Sequence, residues 1–186
     1  MMKLNTLFVA ALCAGALLTS CDPKTAQENQ LKYTHTSLAD GDAFQFFEIV
    51  GAKAVYEVDY ATYAESASAS SQTKQLSAKV KEVYGAILPG LDSIAIVNQV
   101  DFPVKGAEVF KATPAAADST GTVTAAFSDE AYVHHVQHEA AIVKEQFTRL
   151  TRNTNKVLQD FAKANLEKVT ELFTLAGGKE DEHAHH

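Results

Sequence analysis

Four segments of this chain place their apolar residues at alternating steps of three and four. That spacing follows the 3.6-residue turn and commits each segment to an amphipathic α-helix. Phe47, Val50, Ala54, Ala61 and Ala64 make the first stripe, and Leu76, Val80, Val83, Ile87, Gly90, Ile94 and Val97 the second. Val133, Val136, Ala140, Val143, Phe147 and Leu150 make the third, and Leu158, Ala162, Asn165, Val169, Leu172 and Ala176 the fourth, flanked by Phe161, Leu166 and Phe173. Stripes of this kind are stable only when buried against one another, so the chain reads as all-α. The expected helices cover 43–67, 73–98, a third opening after Ser128, and 155–176. "SASASSQT" should stop the first, because serine hydroxyls compete for the backbone. Pro89 removes one donor within the second and predicts a kink rather than a break. Ser128 can cap the third with Asp129 and Glu130 in its first turn, and Gly177-Gly178 ends the fourth. Residues 101–126 hold two prolines, two glycines and many small residues without period. They read as a long crossover between helices two and three, with a short helical or extended piece near Glu108 to Lys111. The fold expected is a ferritin-like four-helix bundle over 42–178.

The residues ahead of the bundle carry an address. A short basic start, Met1 to Lys3, precedes an apolar run of 15 residues, Leu4 to Leu18. That falls short of the ~20 residues a spanning helix needs, so 1–20 is expected to be a cleaved export signal. "Leu18-Thr19-Ser20-Cys21" resembles the lipobox of bacterial lipoproteins, which implies cleavage before Cys21 and acylation of its thiol. Cys13 lies in the discarded segment, leaving Cys21 as the single thiol, so no internal disulfide is expected. Residues 21–41 read as a polar tether, and 179–186, "KEDEHAHH", as a disordered acidic tail with histidines. Charge enters here: the chain carries −7, or −8 once Lys3 is removed with the signal. That balance argues against nucleic acid as a partner.

One slot in the first stripe is filled by Glu57, where a core residue should stand. A buried carboxylate is costly unless hydrogen-bonded or protonated. Tyr84 is the expected partner, since a phenol can donate to a carboxylate while its ring packs in the core. Contact with water at the seam margin, or a small-molecule or single-ion pocket around Glu57, are the alternatives.

In order and spacing, "GAKAVYEVDYATYA", "QLSAKVKEVYGAILPGLDSIA", "FSDEAYVHHV" and "NKVLQDFAKANLEKVTELF" resemble the ferritin-like "predicted outer membrane protein" family of bacterial domains of unknown function, over Phe46 to Ala176. The resemblance implies a Glu in helix one facing a His from each other helix inside the bundle. Glu57 matches that Glu. The three His positions correspond to Tyr84, Ala140 and Leu172, so the resemblance does not supply a metal site here, and no cofactor is expected.

The remaining chemistry is sparse. His134 and His138 stand four apart on one face, close enough to chelate a borderline metal, and His135 with His138 adds a three-spaced pair. Stepping ~100° per residue from Val136 puts His134 and His138 opposite the core stripe, so a solvated face is the plainer reading. Nucleophilic catalysis finds no Gly-x-Ser-x-Gly, and no glycine loop cradles phosphate. The expectation is a lipid-anchored envelope protein, at the outer membrane or periplasmic face, whose bundle is a non-enzymatic structural or interaction module. Its partner would be another envelope protein. Metal binding or buffering through His134 and His138, with or without the tail histidines, is the alternative, followed by a degenerate relative of a catalytic bundle that keeps Glu57.

Overall fold

The computed structural model describes residues 38–102, 107–112 and 127–179. The expected export signal, Cys21, nearly all of the tether, much of the crossover and the tail beyond Lys179 lie outside the described residues.

The described chain is an all-α bundle of four helical rods, without strands. The first rod is continuous but composite: α1 (Gly41–Phe46) runs into a π-helical turn (Phe47–Gly51) and on into α2 (Ala52–Ala67). Then come α3 (Ser71–Val97), α4 (Asp129–Leu150) and α5 (Lys156–Leu175). These spans agree with the stripes to within two residues at their starts and one at their ends. No helix among the described residues is long and apolar enough to cross a membrane.

Each rod starts on a side-chain cap that satisfies a free backbone donor. Asp40 accepts from Ala43 N at 2.7 Å, Ser70 from Thr73 N at 3.3 Å, and Ser128 from Ala131 N at 3.2 Å. Asn155 caps α5 through Val157 N at 3.0 Å, while its amide donates to buried Asn98 at 3.1 Å. At the other end of α5, Gly177 takes φ +90°, and Gly178 N reaches back to Phe173 O at 2.9 Å. Only glycine adopts that left-handed turn cheaply, so the stop read from the sequence has a backbone cause. Pro89 lies inside α3 without ending it. Residues 107–112 are non-helical.

The two hairpins, α2 with α3 and α4 with α5, have the most extensive contacts. The circuit closes where α3 meets α5 and where the first rod meets α4. All six positions of the first stripe, Glu57 included, are buried. At the α1 end the core is aromatic: Phe46 meets Phe147 edge-to-face at 5.0 Å, and Phe161 leans on both. Farther along the first rod, α2 contributes the small buried residues Ala54, Ala61 and Ala64.

Asn155→Ala removes both a cap and a bond to the buried Asn98 amide. The expected loss is about 1–2 kcal/mol, read as a lower urea midpoint with unchanged m.

Candidate functional site: a carboxylate–imidazole pair beside the π turn

The π turn fixes where the site lies. A π turn carries one residue more than an α turn, so the backbone widens and both neighbours Phe46 and Phe47 are buried. Gly51 closes the turn, and Phe102 packs so near that a Cβ there would come within 2.7 Å of its ring. On the opposite side a pocket of about 290 Å³ opens, lined by Glu48 and Ile49 of the turn, Ala52, Lys53, Tyr56 and Glu57 of α2, Glu108 of the crossover, and His135 and Glu139 of α4.

At its inner end stands Glu57, 1% exposed. Its Oε1 lies 2.6 Å from His135 Nε2, a short contact of the kind charge assistance gives. Its Oε2 is buried with no hydrogen-bond partner among the described residues. Lys53, one turn before Glu57, pairs with Glu139, one turn beyond His135. The two helices thus face each other through two parallel acid–base pairs.

Aromatic rings wall the site. His135 lies 5.8 Å from Tyr56 and 5.1 Å from Tyr60. Phe110 stacks on Tyr60 at 4.7 Å and 16°, and meets Tyr56 edge-on at 5.6 Å. That stack pins the crossover and places Glu108 at the pocket mouth. Burial raises the Tyr56 phenol above its usual pKa, and Glu108, Glu57 and Glu139 push it further.

Burial alone would lower the pKa of His135. The hydrogen bond and charge of Glu57, with the charge of Glu139, outweigh burial and the opposing Lys53, and the net shift is upward. A folded value above the unfolded one means that the pair contributes fully to stability below pH ~6.5. The contribution is lost as pH rises through the raised value. NMR titration of the His135 ring should give a pKa above 6.5. In Glu57→Gln the desolvation is left without its main offset, and the value should fall below 6.5.

The structure corrects the expected Glu57–Tyr84 bond. Both residues are buried, but the Tyr84 hydroxyl has no hydrogen-bond partner among the described residues, and the carboxylate is turned to α4. Tyr84 is close enough to feel it: burial, then the Glu57 charge, raise the phenol well above its ordinary value. An imidazole offers what the phenol does not, a partner that can itself carry the opposite charge. Tyr132 and Ser77 also bury hydroxyls without a bond of good geometry. Burial drives Tyr132 upward, partly offset by the nearby Ser77 hydroxyl. Ala140 and Leu172 are fully buried in the core.

His134 is exposed, 3.9 Å from Glu130, and His138 is exposed as well. Among the described residues no three His, Cys, Asp or Glu side chains are gathered to hold a metal ion. His135, weighed in the sequence only through its spacing to His138, is the histidine that reaches the interior. The signal that could have found it was Glu57 itself. A carboxylate in a core stripe needs a partner on a facing helix, and His135 is the polar, ionisable residue next to Val136 of that helix's stripe, Gln137 being its neutral counterpart on the other side.

Comparison of the chain with family models, with curated proteins and with solved structures finds no match.

Proposed function

We propose that this chain is an exported envelope protein held to a membrane by lipid on Cys21, and that its bundle, of ferritin-like connectivity, is a non-enzymatic binding module. The pocket beside the π turn is its ligand site, and the cell envelope, at the outer membrane or periplasmic face, its place. One observation carries the choice of site. A buried carboxylate has one oxygen engaged by His135 and the other unpartnered, at the inner end of an open pocket. A buried charge so placed costs stability unless something is gained from it. The "LTSC" motif supports the anchor, and acylation with more than one chain would make attachment stable.

Two measurements test this reading. Radiolabelled palmitate fed to cells making the full chain should label it, and Cys21→Ala should abolish the label; undiminished labelling would remove the anchor. The His135 ring signals should move when small cations are titrated in. If none moves them at millimolar concentration, the pocket is not a ligand site. Metal buffering by the exposed His134 and His138 is the second reading, favoured by their four-residue spacing. Zinc affinity unchanged in His134→Ala/His138→Ala would sink it.

A further inference from the structure

We propose that the ligand of this pocket is a small organic dication, two amino groups on a short aliphatic spacer; the inference rests on the ligand-site reading above. Charge, size and lining each point that way. Four carboxylates line the site, and its positive groups are Lys53 and, when protonated, His135. Lys53 is committed to Glu139 and His135 to one oxygen of Glu57. The acceptors left over are the exposed carboxylates of Glu48 and Glu108 at the mouth, while the unpartnered Oε2 of Glu57, itself buried, adds negative charge at the inner end. Even with His135 protonated, the site is short of two positive charges.

Size argues for an organic cation over a bare ion. The volume, about 290 Å³, lies at the small end of the ~300–1,000 Å³ typical of small-molecule pockets. A metal would need three or more ligands converging on one point, and the described side chains do not converge so. Between the carboxylates the wall is apolar or aromatic, formed by Ile49, Ala52 and Tyr56. An alkyl spacer is suited to that wall, and the Tyr56 face favours an ammonium. The chain already holds one alkylammonium here, the Lys53 side chain lying against Glu139.

Isothermal titration calorimetry on the full chain in low-salt buffer, with 1,4-diaminobutane, n-butylamine and zinc chloride as separate titrants, decides between outcomes. Expected is one-site binding of the diamine at least tenfold tighter than butylamine, weakened by raising salt to 0.15 M. Glu48→Gln/Glu108→Gln should lower diamine affinity at least tenfold while leaving the thermal melt unchanged, since both side chains are exposed. Glu57→Gln should do the same, and the mouth variant keeps the test decisive should that core change unfold the protein. Equal affinity for butylamine and the diamine overturns the dication. Zinc binding alone, kept in His134→Ala/His138→Ala but lost in Glu48→Gln/Glu108→Gln, overturns the organic ligand but leaves the pocket as a ligand site; zinc binding that the mouth variant does not change overturns both. If all three titrants fail, the inference and the ligand-site reading fall together.

Discussion

His135→Ala destabilises the bundle by about 2–4 kcal/mol at neutral pH, more than a half-exposed histidine ordinarily could. The substitution strands the Glu57 carboxylate, whose second oxygen already has no partner. Removing one member of a buried pair costs ~3–5 kcal/mol, because the other charge stays uncompensated. Since the His135 side chain is 31% exposed, water can enter where the ring was, which brings the expected loss down to about 2–4 kcal/mol. The decisive comparison is Glu57→Met/His135→Ala, which replaces the pair with an apolar residue of similar volume. Such replacements are often neutral or stabilising, so the double variant should recover most of the loss. Urea unfolding of the four proteins of this cycle gives the coupling directly. A double variant as unstable as His135→Ala would mean that the imidazole matters for packing and not for charge.

Phe147→Ala is the second large effect, about 3–5 kcal/mol. The ring is fully buried, meets Phe46 edge-to-face and lies 5.9 Å from Phe161, so truncation removes contacts to two rods at once. Aromatic geometry adds to the area term, and the cavity cannot collapse because its walls are themselves rings. For a chain of this size the loss lowers Tm by roughly 10–15 °C. A melt displaced by less than about 3 °C would show that the aromatic end of the core repacks freely.

The two variants separate what was legible in the sequence from what was not. Phe147 belongs to a stripe of period near 3.6, and periodicity carries its face, its burial and its helix without any tertiary knowledge. The same holds for Leu158, Val169 and the cap at Ser128, where a local hydrogen bond decides the outcome. Glu57 was legible as buried because it occupies a stripe. Its partner was not, because which way a side chain leans between two facing helices depends on their relative rotation. That rotation is set by packing, and Tyr84 and His135 both lie within its range. A pocket around Glu57 was an alternative in the sequence, but its outline was beyond reach: its mouth is bordered by Glu108, from a segment with no period to read. The change of pitch at Phe47–Gly51 left no such signal, since adjacent buried residues such as Val83 and Tyr84 also occur within a regular helix.

That change of pitch acts as a phase setting for everything after it. The extra residue in the turn at Phe47–Gly51 costs regular bonding in one place, and in return fixes which side of α2 meets α4. Because the π turn absorbs one residue, deleting one there would restore an ordinary helix with its two halves in the same relative orientation, whereas inserting a further residue would rotate them ~100° against each other. Either Phe46 and Ala43 would leave the core or Glu57 would swing away from His135; no side chain would have changed, yet the acid–base pair or the aromatic end would be lost. The position of the pocket is therefore encoded in a count of residues, so lengthening this short stretch would displace it more drastically than most changes of letter.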